Sequence, residues 1–450
     1  MAGPNVVLIV ADTIRADRVS CYGYDRPTTP HMDELAGQGV LFENAYSQAT
    51  FSGPSYASIF TGTYPHTHGV RDHPQVLEDR NVTLAEVFEE AGYRTAGFHT
   101  NSMVDERWNY HQGFDVYKYF PGQNDAAVVQ GTKEWLSENG ANGPFFLWVC
   151  LLAPHFPYVP PESFARRFAQ PFGYQSEFLA DYRNFTARKQ MSWMELVLRY
   201  EELGYTEEDA AYNRSLYDAE IAYADSHVGE LIQTLEKLKL AGNRTVLVVT
   251  SDHGESLGEH GLYFSHGMHL SDPQVHVPLL VRAPGRVPAG QRVSQVVRSI
   301  DIFPTVLRLA GIDVPDTAEG VDLAPAIRGE ALEAAAFSEN RLYVPELDPI
   351  PARYHRLYVR GVRGKWKSVR KENYFLTAIP RPEFTEYELY DVREVWKDSF
   401  RAPNRVHQLP EVFESLRQEL LRWDAEDAKA EVPLERDEEA MEMLRSLGYL

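Results

Sequence analysis

The chain has 450 residues, 44% of them hydrophobic, which is enough for a large core and more than one folding unit. A formal charge of −21 excludes nucleic-acid backbone and anionic membrane as partners drawn by the global field, so an anionic substrate has to be attracted locally. Two cysteines, Cys21 and Cys150, exclude a disulfide framework or a zinc knuckle, and no apolar run reaches the roughly 18 residues of a membrane span.

Residues 6–11, Val-Val-Leu-Ile-Val-Ala, are an unbroken apolar run that predicts a buried strand and leads into Asp12. That strand starts a few residues after Met1 with no charged leader, so the expectation is a soluble, cytoplasmic protein. A turn-rich stretch over 22–30 precedes a short helix over 31–37, stopped by Gly37-Gln38-Gly39, and a strand over 40–46. Pro54 marks the start of a helix over 54–60. A helix over 84–91, a strand over 93–99, a helix around Trp135 and a buried strand over 145–152, ending at Ala153-Pro154-His155, continue the alternation.

Residues 156–210 read as an irregular, aromatic-rich insertion, either a lid over the site or a segment packed on the body. Glu201-Glu202 and Glu207-Glu208-Asp209 are expected on a solvated face. An amphipathic helix over 212–239 feeds an apolar run over 246–251 that ends in Asp252-His253. A short strand over 277–281 and a helix from Asp301 to Gly311 follow. Beyond residue 335 the texture changes. Alternation over 356–370 predicts an antiparallel hairpin at Gly361/Gly364, then come a strand over 387–390 and a helix over 411–426. The predicted fold is α/β: a large mixed, mostly parallel sheet flanked by helices on both faces over 1–335, with 156–210 inserted. Residues 336–450 form a smaller α+β subdomain with a short antiparallel sheet.

Ligands in open α/β sheets bind outside the carboxyl ends of the strands. Two adjacent parallel strands ending at Asp12 and at Asp252-His253 place carboxylates and an imidazole at one edge, a donor set for a divalent cation. Ser52 stands just before Pro54, where a helix N-terminus favours an anion or an activated oxygen; a plain capping role is the alternative.

The ordered set of Asp12, Thr29-Pro30-His31-Met32-Asp33, Ser52-Gly53-Pro54-Ser55, Phe60-Thr61-Gly62 and Tyr64-Pro65-His66-Thr67-His68-Gly69-Val70 begins a longer pattern. It continues through Pro154-His155-Phe156-Pro157-Tyr158, Asp252-His253-Gly254-Glu255, His266-Gly267, His276-Val277-Pro278-Leu279 and Asp301-Ile302-Phe303-Pro304-Thr305. It closes with Glu388-Leu389-Tyr390-Asp391 and Leu447-Gly448-Tyr449. Together these resemble the sulfatase family of the alkaline-phosphatase superfamily. The resemblance implies hydrolysis of a small anionic sulfate ester by residue 52, which in that family is a Cys or Ser oxidised to formylglycine. Asp12, Ser52, Asp252 and His253 would hold one divalent cation, Ca2+ first, with Mg2+, Mn2+ or Zn2+ as alternatives. His155 and His266 would serve the bridging and leaving oxygens, and Asn101, Tyr56 and Arg71 would face substrate. Two positions depart from the pattern: Tyr56 stands where the family's modification motif has Arg, and Thr13 replaces a frequent second acid. An unmodified Ser52 acting as a plain alkoxide suits a phosphodiesterase, phosphomonoesterase or phosphotransferase, and a catalytically silent binding protein is a further alternative. His260, His269 and His276 are expected to be structural or exposed, and Lys365 and Lys367 surface charges. His66 and His68 are placed at a turn or a pocket border. Arg15 and Arg71 either offset anionic charge near the site or, as is commoner, pair with neighbouring acids.

Overall fold

A computed structural model describes residues 3–72, 75–122, 124–176, 204–242, 244–267, 269–332, 334–341, 364–396 and 402–427. The first strand, β1 (Asn5–Ala11), is buried along its whole length, as an unbroken apolar run requires. β2 (Val40–Tyr46), β3 (Arg94–His99), β4 (Val116–Tyr119), β5 (Phe145–Leu151) and β6 (Thr245–Thr250) belong to the same sheet. A two-stranded ribbon, β7 (Ser256–Leu257) and β8 (Tyr263–Ser265), projects beyond β6. β9 (His276–Val277), β10 (Leu279–Arg282) and β11 (Gln291–Arg298) complete a nine-stranded sheet of order β11-β2-β10-β6-β1-β5-β3-β4, with β9 on β2.

β1 lies parallel between β5 and β6, and β3 is parallel to β5 and β4. β10 runs antiparallel between β6 and β2, which makes the sheet mixed. The pleat sends alternate β1 side chains to opposite faces. Val7, Ile9 and Ala11 join a core with Met32, Trp135 and Tyr217 from helices Pro30–Gln38, Asp125–Asn139 and Glu207–Lys237. Val6, Leu8 and Val10 join the opposite core with Tyr56, Phe88 and Phe303 from helices Ser52–Thr61, Leu84–Glu90 and Ile302–Ala310.

The second sheet is antiparallel: β12 (Ala336–Glu339), β13 (Lys367–Lys371), β14 (Tyr374–Pro380) and β15 (Thr385–Asp391), in that order. One face packs on helix Pro410–Asp427 through Val369, Leu376, Leu389, Leu416 and Trp423. Trp366 and Phe375 pack on Tyr46 and Val275 of the large unit.

Most predicted spans agree with these bounds. β4, β7, β8, β11, β12 and β14 were not predicted; they are short or lie at sheet edges, in the two-stranded ribbon or in the small sheet, where no long apolar run is required. Part of the predicted 356–370 hairpin and the terminal Leu447-Gly448-Tyr449 lie outside the described residues, as do residues 177–203 of the insertion. The described part of the insertion packs on the body: Phe156 and Tyr158 on Phe264, and Phe168 on Ala219 and Ala222. Asp209 corrects one expectation. It is buried, accepting from the Thr206 amide at 2.9 Å as the helix's capping box, rather than standing on a solvated face.

Candidate active site

Four parallel strands end on one edge, and each delivers a polar side chain there. β1 gives Asp12, β6 gives Asp252 and His253, β3 leads to Asn101, and β5 leads to His155. The helix Ser52–Thr61 points its N-terminus at the same place. Asp12, Asp252 and His253 are fully buried, and one ligand atom from each lies within 4.8 Å of the others. His253 Nε2 is 3.4 Å from Asp252 Oδ2 and 3.9 Å from Asp12 Oδ1. Ser52 Oγ lies 3.4 Å from Asp12 Oδ2 and 3.5 Å from His253 Nε2. Asn101 Nδ2 donates to Asp12 Oδ2 at 2.7 Å and to Ser52 Oγ at 3.1 Å.

Backbone geometry fixes these groups. Thr13, just after Asp12, is left-handed at φ 57°, and its amide donates to Asp252 Oδ1 at 3.2 Å. The His253 amide reaches the same oxygen at 2.9 Å. A Cβ on Gly254 would stand 2.0 Å from the Pro273 carbonyl oxygen, so only glycine fits after the Asp-His pair. His253 Nδ1 donates to the Gly254 carbonyl at 2.8 Å, which leaves the Nε2 lone pair facing the carboxylates.

The electrostatics ask for a cation. Burial, and then the Asp252 charge, push the Asp12 carboxyl well above its ordinary range, against hydrogen bonds from Asn101 and Ser52. Asp12 Oδ1 and Asp252 Oδ2 are buried without a hydrogen-bond partner. Leaving such oxygens dry and unpaired costs several kcal/mol each, roughly. A divalent ion bound by both acids and His253 Nε2 removes that cost, so the residues present fit the cation expected of them.

His266 packs on His253 with ring centroids 4.5 Å apart, and His155 packs on His266 at 5.0 Å. Burial lowers His155 to about 3 and His266 to about 4, so both are neutral at pH 7. Two supporting acids, Asp125 and Glu255, were not among the expected site residues. Asp125, 27 residues before the segment it holds, accepts from the Leu152 and Ala153 amides at 2.7 and 2.9 Å and so fixes the turn bearing His155. Glu255 puts Oε1 3.3 Å from His266 Nδ1, and burial pushes it up to about 8. Its place in Asp252-His253-Gly254-Glu255 was the available clue.

Two expected substrate contacts lie elsewhere. Tyr56 is fully buried and its hydroxyl donates to Cys150 Sγ at 3.0 Å, one helical turn below Ser52 and edge-on to Trp148. Arg71 binds Glu339 at the junction of the two sheets, with 2.5 and 3.0 Å contacts. Lys365, expected on the surface, is also buried there, 2.7 Å from Glu339. Arg71 and Lys365 line a cleft of about 390 Å³ with Lys367, Tyr387 and Arg417, whose lining includes none of the residues around Ser52. Arg15 pairs with Asp17 at 2.6 Å and Glu259 at 2.7 Å. His68 is buried, 3.1 Å from Ser58 Oγ, and His66 stacks on Tyr64.

Comparison with known proteins bears on this arrangement. A family profile described as Sulfatase matches residues 4–312, and one described as N-sulphoglucosamine sulphohydrolase, C-terminal, matches 258–378. An N-acetylglucosamine-6-O-sulfatase of Bacteroides thetaiotaomicron is 26% identical, over 87% of this chain and 81% of its own. Arylsulfatase K of Mus musculus is 27% identical, over 93% and 78%. A solved structure in complex with its substrate D-glucosamine-2-N,6-O-disulfate superposes with TM-score 0.73 at 23% identity, over 95% of this chain and 98% of that one. The phosphonate monoester hydrolase of Agrobacterium radiobacter has the same fold, with TM-score 0.72 at 23% identity, over 94% and 96%.

Proposed function

The chain belongs to the sulfatase family, a premise from which we propose that it hydrolyses sulfate esters at Ser52, beside a divalent cation held by Asp12, Asp252 and His253. The observation that carries this reading is the pair of buried carboxylate oxygens without partners, Asp12 Oδ1 and Asp252 Oδ2, beside a serine hydroxyl that meets the other oxygen of Asp12. When bound, the cation polarises the ester oxygens as a Lewis acid. Oxygen donors favour Ca2+, with Mg2+ next; the imidazole keeps Mn2+ and Zn2+ as add-back alternatives.

The chain's own groups do the rest. Asn101 and the helix N-terminus orient the Ser52 oxygen and support negative charge on it. A neutral imidazole, of His155 or His266, accepts the proton released at the nucleophile and passes it to the departing alkoxide oxygen. The ester left on residue 52 is then cleaved, by water for a serine or by loss of the second hydroxyl proton for a formylglycine hydrate, and sulfate departs. Asp125 holds the His155 turn in place. The division into a catalytic unit over 1–335 and a smaller one over 336–450 is part of the reading, supported by the separate antiparallel sheet of the second. A cytoplasmic setting is also part of it, supported by two cysteines that stay unpaired.

Tyr56 in the core favours a second reading of residue 52. With no Arg beside it, unoxidised serine acts as the alkoxide, and phosphate or phosphonate esters compete with sulfate. The experiment combines turnover of an aryl sulfate, an aryl phosphate and an aryl phosphate diester with the mass of the residue-52 peptide from the native host. Formylglycine shows as the loss of two hydrogens. Sulfate turnover that needs Ca2+ and vanishes in Ser52→Ala sustains the proposal; sulfate turnover surviving Ser52→Ala sinks it. Faster turnover of either phosphate ester with an unmodified serine selects the second reading.

A further inference from the structure

A second group of metal-ligating side chains lies away from Ser52. His260 sits in the turn joining β7 to β8, His269 follows β8, and Glu388 is on β15 of the small sheet. One ligand atom from each lies within 4.8 Å of the others. We propose that His260, His269 and Glu388 form a structural site for a divalent transition ion, zinc in chemical class, that fastens the small sheet to the catalytic unit.

The donor set argues for the class. Two imidazoles and a carboxylate suit Zn2+ far better than Ca2+ or Mg2+, which take oxygen donors. Tetrahedral ligands about 2.1 Å from zinc stand about 3.4 Å apart, so side-chain shifts of about an ångström close this site. The surroundings pre-arrange it. The His260 and His269 rings lie 4.3 Å apart between centroids, tilted by 32°. His260 is held left-handed at φ 55°, ψ 21°, a conformation that costs roughly 1–3 kcal/mol unless its surroundings impose it. Trp366 packs edge-on against His269 at 4.6 Å, and Tyr390 donates its hydroxyl to Glu388 Oε2 at 3.0 Å, fixing the carboxylate as an outer-shell partner does.

The placement gives the ion a task. Glu388 comes from the small sheet and the histidines from the arm that carries His266, so one ion links residues 128 apart in sequence and stiffens the segment bearing a candidate proton carrier.

The test uses full-length protein with Asp12→Asn and Asp252→Asn, which removes the acids of the first site. Equilibrium dialysis against Zn2+ should then show one bound equivalent, with a raised midpoint of thermal unfolding. Adding His269→Gln or Glu388→Gln should weaken that binding at least the roughly 10–100-fold that outer-shell losses alone cause, and Tyr390→Phe by about 10-fold. No Zn2+ bound in the double variant, or equal binding in the His269→Gln and Glu388→Gln proteins, overturns the proposal. If circular dichroism shows the double variant unfolded, wild type replaces it: two equivalents falling to one in Glu388→Gln supports the site, and an unchanged count refutes it. The readout contains no ester turnover, so failure here leaves the Ser52 reading standing, and the reverse.

Discussion

The cluster around Ser52 and the ion-pair knot around Glu339 are both buried and both contain carboxylates, yet they are balanced differently. At Glu339 the protein supplies its own counter-charge: Arg71 and Lys365 lie 2.5 and 2.7 Å from the carboxylate. Burial alone would raise Glu339, but those two cations outweigh it and hold it at about 2. Around Asp12 and Asp252, among the described residues, the bonded partners are an amide, a hydroxyl and backbone N–H groups. The first cluster is complete within the chain and holds two sheets together. The second leaves two buried carboxylate oxygens without a hydrogen-bond partner, and that deficit is the basis for proposing it as a cation site.

The comparison breaks first if the nucleophile is elsewhere. Ser52→Ala should lower kcat/KM on an aryl sulfate by about 10⁴-fold, near 5.5 kcal/mol, while stability measured by urea unfolding changes by about 1 kcal/mol or less. Next is the complete cluster. Glu339→Gln leaves two buried cations without their acid and should cost roughly 3–5 kcal/mol of unfolding free energy. The same carboxylate gives a signed pH effect. Its pKa falls from an ordinary 4.5 to about 2 on folding, so its stabilisation is present above pH 4.5 and is lost as pH drops from there toward 2. Denaturant midpoints across that window should fall in wild type and stay flatter in Glu339→Gln.

Smaller effects sharpen the contrast. Asn101→Ala removes a donor to Ser52 Oγ and should reduce kcat by about 10²–10³-fold, read in steady-state kinetics. Asp12→Asn has opposite signs in its two readouts. Activity disappears, but in EDTA-treated protein the loss of one of two repelling buried charges should raise stability, on the order of 1–2 kcal/mol by calorimetry. Tyr56→Phe should leave KM unchanged and cost less than about 1.5 kcal/mol, because its hydroxyl meets Cys150 rather than substrate.

How much of this was legible in the sequence follows from the range of the interactions. β1 and β6 are continuous apolar runs because both their faces are buried, and the acid that ends each run is adjacent in sequence, so the meeting of Asp12 with Asp252 and His253 could be read directly. β11, Gln-Arg-Val-Ser-Gln-Val-Val-Arg, borders solvent at the sheet edge and offers no such run. Tyr56 was misplaced because position in a motif was taken for position in space. At 1.5 Å per residue it sits about 6 Å deeper along the helix than Ser52, where the surroundings are Trp148 and Cys150. Arg71, Lys365 and Glu339 meet across 268 and 26 residues, and Asp125 reaches forward 27; nothing in local composition announces such partners.

β1 occupies the middle of the large sheet with a neighbour hydrogen-bonded along each side, and Asp12 hangs from its last residue. Strands so placed exchange their amide hydrogens only when the whole domain opens. Heating therefore cannot disarm this enzyme piecemeal through its first carboxylate: half-inactivation and cooperative melting should coincide on one curve, with the amides of β1 the last to take up deuterium.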